Sequence, residues 1–213
     1  MLRYEFKYAL NGLALDQILN TVRLHSAGFS EAYPKRQVNN YYLDTINLDY
    51  FYQNIDGVAR RRKFRYRWYG ESSNIAQAQL EVKHRDNELG WKETFKLDKD
   101  LIQTKDKMMQ HFNALKLTTL FLVPQLYNCY ERYYFESQDK KFRITVDFNQ
   151  AFGLPFQNNT KYLVTHKDPT QVLELKFDET HLDILDSITT ELPYLRTKNS
   201  KYSNGIQHVI GMT

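Results

Sequence analysis

The chain has 213 residues with 25% charged side chains, enough for one domain with a sizeable core and too ordinary a balance for wholesale disorder. Its net charge of +4 is too mild to imply nucleic acid by itself. Cys129 is the only cysteine, so an intrachain disulfide is excluded, and a reducing, cytoplasmic compartment is the expectation.

Residues 2–8 alternate as a strand. Leu15, Ile18, Leu19 and Val22 follow helical spacing, with Gly28 as a stop. QVNNYYLD (37–44) reads as a strand, and Asn47 is placed to cap a short helix carrying Tyr50 and Phe51. Residues 58–69, 75–84 and 89–96 read as three consecutive strands, divided by turn signals at 70–74 and at Asp86 and Asn87. Such short links predict antiparallel hairpins. A helix is expected over 99–114 and a break at Pro124. Strands at 126–136 and 141–149 join near Gln138 and Asp139. Residues 150–169 read as irregular, 171–178 as a strand, and 179–190 as a helix closed by Pro193. The tail 196–210 is polar, then weakly apolar, and the isolated His25, His111 and His181 read as surface or helix positions.

There is no linker rich in Gly, Ser or Pro, no solenoid repeat, no basic-then-apolar leader and no apolar run of about 20 residues. One domain spanning 1–213 with no membrane segment is expected. The fold class expected is α+β: a closed antiparallel β-barrel of about eight strands with peripheral helices.

The charge pattern on those strands is unusual. In KFRYRWYG, Arg65 and Arg67 share one face and Phe64, Tyr66 and Trp68 the other. Charges alternate likewise at Arg3, Glu5 and Lys7, at Glu81 and Lys83, at Arg143, Thr145 and Asp147, and at Glu174 and Lys176. A single Glu-X-Lys on a strand is usually a solvated ion pair of about 0.2–1 kcal/mol. Five such faces together predict a charged, wet interior with the aromatic faces outside, under helices. The inward cations are Lys7, Arg65, Arg67, Lys83, Lys92, Arg132 and Arg143, a set suited to a chain of phosphates. Glu5, Glu81 and Glu174 interleave with them and would repel phosphate unless Mn²⁺ or Mg²⁺ lay between. Mutual repulsion between Arg65 and Arg67 predicts that losing either abolishes turnover and stabilises the empty protein. No P-loop, GxGxxG turn, CxxC, HExxH or GxSxG appears.

With these residues in view, the chain resembles the vacuolar transporter chaperone (VTC) catalytic domain, a polyphosphate polymerase of the CYTH-like triphosphate tunnel superfamily. The pieces that carry the resemblance are RYEFKY, YYLDT (41–45), FRYRWYG (64–70), LEVKHR (80–85), Trp91-Lys92, YERYYF (130–135), FRITVDFN (142–149), LELKFD (173–178) and KNSKYSNGI (198–206). They run in the family order over nearly the whole chain. The resemblance implies a tunnel in which Lys7, Arg65, Arg67, Lys83, Lys92, Arg132 and Arg143 grip phosphates, with Lys201 and Ser200 at one mouth and Tyr130 against nucleotide or phosphate. Glu174 would be the principal metal ligand, with Glu5 or Glu81 close by; Lys96 is the alternative to Lys92.

The activity implied is transfer of the γ-phosphoryl group of ATP to growing polyphosphate, with release of ADP. Hydrolytic tunnel relatives begin ExExK, and here Arg3 stands at the first acid, which favours the polymerase over a triphosphatase. A triphosphatase and a non-catalytic polyphosphate binder are the alternatives. The family's eukaryotic members carry an SPX domain and membrane helices, which this sequence does not show. The expected partners are ATP and polyphosphate or triphosphate, not nucleic acid; a separate membrane partner and the oligomeric state stay open.

Overall fold

The computed structural model describes residues 3–96, 105–155 and 162–211. In chain order the elements are β1 (Arg3–Leu10), α1 (Leu15–Arg23), β2 (Ser30–Asp44), α2 (Asp49–Ile55), β3 (Arg60–Tyr69), β4 (Gln79–Asp86) and β5 (Leu89–Phe95). There follow α3 (Lys105–Ala114), β6 (Val123–Glu136), β7 (Phe142–Pro155), β8 (Tyr162–Asp168), β9 (Gln171–Asp178), α4 (Leu185–Thr189) and α5 (Lys201–Ile210). All strands join one nine-stranded sheet in the order β6-β2-β3-β4-β5-β1-β9-β7-β8, with β6 also paired to β7. Every pairing is antiparallel.

The α+β class and the antiparallel sheet hold, but an evenly closed eight-stranded barrel does not describe it. Between β1 and β5 the pairing thins to one registered pair, Arg3 with Gly90. On β5, LGWKETF, Leu89, Trp91 and Phe95 share one face, but Trp91–Thr94 are exposed and Phe95 packs with the cluster of Phe64, Tyr66 and Trp68. The wall is a strongly curved sheet with a seam there. A ninth strand, β8, pairs with the second half of β7, while β9 pairs with the first half. Asn149, at φ 50°, marks the bend between the two halves.

The aromatic faces lie outside the wall, as expected. Phe64, Tyr66 and Trp68 are fully buried against Met108 and Phe112 of α3. Burial of each such side chain stabilises the fold by roughly 1.5–3 kcal/mol. The apolar stripe of α1 (Ile18, Leu19, Val22) packs on Ile144, Val146, Leu173 and Leu175. Helices thus cover the apolar exterior and leave the charged face to the lumen.

Other local expectations are corrected. Residues 150–169 are not irregular: β7 runs on to Pro155 and β8 covers Tyr162–Asp168. Pro124 does not break the chain but lies inside β6, registered opposite Leu43. Residues 97–104, the start of the expected third helix, lie outside the described residues. His25 is buried, its Nε2 2.9 Å from the Ile188 carbonyl oxygen. Asn47 caps nothing; the Asp44 carboxylate accepts from the backbone N–H groups of Thr45, Tyr50 and Phe51 and so serves the start of α2.

The tail is a helix. The Ser200 side chain caps α5 by accepting from the Ser203 N–H. Tyr202 and Ile206 bury beside Leu126 and Phe152, and the Tyr202 hydroxyl donates to Asp44. Gly205 permits this contact: a Cβ there would fall 2.5 Å from Leu126 Cδ2 and 2.6 Å from Phe152 Cδ1. Gly205→Ala is therefore expected to destabilise the protein by about 1–3 kcal/mol despite its gain in helix propensity. A denaturant midpoint at or above the wild-type value would contradict this packing.

Candidate active site, a basic lumen

The inner faces of β1, β3, β4, β6 and β9, with α5 at one end, enclose a cavity of about 770 Å³. Twelve Lys or Arg side chains line it against three carboxylates, Glu5, Glu88 and Glu174. Alternation along each strand causes this. Lys7, Arg65, Arg67, Lys83 and Arg132 all point inward, and α5 delivers Ser200 and Lys201 to the same space.

Four acids organise seven of these cations. Glu174 lies 2.9 Å from Lys176, 3.3 Å from Arg132, 3.4 Å from Lys201 and 3.6 Å from Lys7. Burial alone would raise its pKa; the four cations outweigh that and hold the carboxyl well below the usual range. Asp147, at the inner face of β7, receives Lys201 at 2.5 Å and both Nε and Nη2 of Arg132. At the other side Glu81 accepts Nη2 of Arg65 at 2.6 Å and Lys92 Nζ at 2.6 Å, with Arg67 at 3.8 Å. Glu5 bridges Lys83 (2.7 Å) and Lys7 (3.1 Å).

Tyr130 holds position by its ring and its hydroxyl. Arg132 and Lys201 lie over the ring at 5.2 and 4.9 Å, and the hydroxyl accepts from Arg67 at 3.0 Å. Arg67 Nε also donates to Asn40 at 2.9 Å.

Three expected site residues are placed elsewhere. Arg143 shares the inner face of β7 with Asp147 but sits at the strand's end, half-exposed and paired to Glu136 at 3.1 Å, away from the cavity lining. Lys92 lies outside that lining and serves Glu81; Lys96 is exposed beyond the end of β5. Glu81 is sequestered behind Arg65 and Arg67 rather than open to the lumen. Its three cations outweigh burial and keep it ionised.

Sequence reasoning missed Lys63. Its ammonium faces the cavity and donates to Ser200 Oγ at 2.7 Å, and among the described residues no carboxylate pairs with it. Burial, then Lys7 and Lys83, push its pKa well below the ordinary lysine range. The signal was present: Lys63 is two residues before Arg65 on the same alternation. Lys176, Arg196 and Lys198 were also missed. Burial likewise lowers Lys83 to about 8, with Lys7 adding and Glu5 opposing.

This geometry has a pH signature. Between about 8 and 10.5 the unfolded chain holds a proton on Lys83 that the free folded protein has lost, so this lysine's contribution to stability rises with pH across that window. A bound polyanion restores the proton. NMR of lysines labelled at Cε should show one resonance titrating near pH 8 in the free protein. It should be absent from Lys83→Met and return to the ordinary lysine range with tripolyphosphate. Ordinary titration of every lysine in the free protein would contradict this environment.

Glu5 and Glu174 are the candidate carboxylates for a divalent ion: they converge on the Lys7 ammonium, at 3.1 and 3.6 Å, from diagonal positions on β1 and β9, and an ion there would displace that lysine. Two carboxylates plus phosphate oxygens are an ordinary Mg²⁺ ligand set. Glu81 does not fit, because it lies outside the cavity lining, behind Arg65 and Arg67.

A curved antiparallel sheet with a cationic lumen and an apolar, helix-covered exterior defines a tunnel-type fold. The VTC domain model matches residues 2–210, and the chain belongs to that family. Among solved structures, a candidate adenylate cyclase from Vibrio parahaemolyticus is similar at TM-score 0.55 and 14% identity, over 94% of this chain and 95% of that one. Another candidate adenylate cyclase, from Bacillus halodurans, is similar at TM-score 0.49 and 10% identity, over 93% and 94%. At such identity the first shares the fold alone. Comparison with curated proteins gives no match. Among the described residues no helix is long and apolar enough to cross a membrane.

Proposed function

We propose that this protein is an ATP-dependent polyphosphate polymerase, moving the γ-phosphoryl group of ATP onto the end of a phosphate chain held in the lumen. The observation that carries this reading is the excess of twelve lining cations over three carboxylates in a site of about 770 Å³. A single carboxylate or sulfate would leave most of that charge unanswered, whereas a phosphate chain meets it along its length.

Each group has a role in this reading. Lys63, without an acid partner among the described residues, and Lys83, which shares Glu5 with Lys7, are first to engage phosphate oxygens. Arg65 and Arg67, braced by Glu81, present fixed guanidinium forks to the chain. Lys201, braced by Asp147 and standing beside the N-terminus of α5, meets the anion at the other side. Glu5 and Glu174 would hold the Mn²⁺ or Mg²⁺, which supplies charge neutralisation at the transferring phosphoryl group. The attacking group is a terminal phosphate oxygen of the chain, already ionised, so no protein nucleophile or base is required.

Incubation with ATP and Mn²⁺ is expected to give phosphate polymer and ADP in step. Orthophosphate alone, from ATP or tripolyphosphate, would make the protein a triphosphatase; tight binding without turnover would make it a binder.

A further inference from the structure

A second cavity, of about 510 Å³, opens at the free ends of β3 and β4. Its lining includes Arg60, Arg61, Arg62, Arg85, His84 and Trp91. Arg61 and Arg85 line the lumen as well, so these two side chains border both spaces. They stand directly opposite each other in the β3–β4 register, two like charges in a position where an ion pair is usual.

No carboxylate relieves them. Arg61 donates to the Val58 carbonyl and Arg85 to the Asn87 carbonyl, while Arg61 Nε is buried without a partner. Arg62 likewise reaches only a carbonyl, that of Leu117, and lies over the Phe64 ring. Trp91 stacks on His84 at 4.8 Å and stays 38% exposed, a flat wall beside the arginines. Among the described residues Asp86 is the one acid in this lining, and Arg60 holds it at 3.0 Å, so Arg61 and Arg85 keep donors free beside the groove.

We propose that this groove binds the stretch of a linear polyphosphate chain that projects from the lumen. The inference rests on the lumen being a polyphosphate site. It adds a docking track outside the reaction centre, on which chain length governs affinity: short phosphates fill the lumen alone, and longer ones also reach Arg60 and Arg62.

The test compares tripolyphosphate with long-chain polyphosphate on the full chain. The double variant Arg60→Ser/Arg62→Gln alters groove residues that do not line the lumen. It is expected to bind tripolyphosphate as the wild type does, and to lose about tenfold in affinity for the long chain, with a shallower salt dependence. Tryptophan emission gives a second readout, because the only other tryptophan, Trp68, is fully buried. Long-chain polyphosphate should change the emission of the wild type but not of Trp91→Phe, and tripolyphosphate should change neither.

Equal long-chain affinity in variant and wild type overturns the proposal. So does an equal loss for both ligands, which would make the groove part of the lumen. Tighter capture of an oligonucleotide than of polyphosphate would assign the groove to nucleic acid instead. Failure of the wild type to bind tripolyphosphate at all would sink the lumen reading itself, a result distinct from these.

Discussion

Glu174→Gln is expected to lower the stability of the free protein by about 3–5 kcal/mol, the usual cost of breaking a buried ion-pair network. Four cations lie within 3.6 Å of that carboxylate, on β1, β6, β9 and α5. Without its charge they repel one another across a space where water screens poorly. A polyanion can replace what the mutation removes, so tripolyphosphate should restore much of the lost stability and should raise the melting temperature of the variant more than that of the wild type. Turnover with Mn²⁺ should be lost, because one of the two carboxylates that fit a divalent ion is gone. A variant as stable as the wild type would mean that the four cations do not converge on Glu174.

The second large effect is a pair of opposite signs on one strand. Arg65→Ala should destabilise by about 2–3 kcal/mol, since it strips a bidentate partner from buried Glu81 and leaves Lys92 and the more distant Arg67. Lys63→Met should instead stabilise the free protein by about 1–2 kcal/mol, since it removes a buried cation without a counter-ion and keeps the volume. Both should weaken tripolyphosphate binding about tenfold or more. Thermal melts with and without ligand check both. The repulsion expected between Arg65 and Arg67 is therefore displaced two residues along β3: Glu81 absorbs it at the arginines, and nothing absorbs it at Lys63. A stabilised Arg65→Ala would contradict the assignment of Glu81 to Arg65, and a destabilised Lys63→Met would contradict the uncompensated charge at Lys63.

The inward direction of most charges was legible because a strand's period of two leaves little choice once one residue is placed. Phe64, Tyr66 and Trp68 had to be buried, so Arg65 and Arg67 had to face the lumen, and β4 followed through its register with β3. Depth along the strand was not legible. Alternation puts Arg143 on the correct face of β7, but only the register with Glu136 shows that it stands at the strand's end. Which acids meet metal and which meet arginine also depends on cross-strand neighbours, so Glu81 could not be separated from Glu5 and Glu174 in advance. The α5 helix escaped notice although Tyr202, Ile206 and Val209 follow helical spacing, because much of what fixes it is tertiary: a Gly205 contact and the Tyr202 bond to Asp44, beside the Ser200 cap. The seam at β5 was not legible either, because alternation shows a strand but not how many of its residues register with the next one.

The central claim is that one shared lumen, and not the outer surface, binds a chain of phosphates. A crystal structure of the protein with tripolyphosphate tests it most directly. The account predicts three phosphorus atoms in line inside the sheet, within hydrogen-bond reach of Lys63, Arg65, Lys83 and Lys201. An empty lumen at saturating ligand, or phosphates found only on exterior lysines, would contradict it.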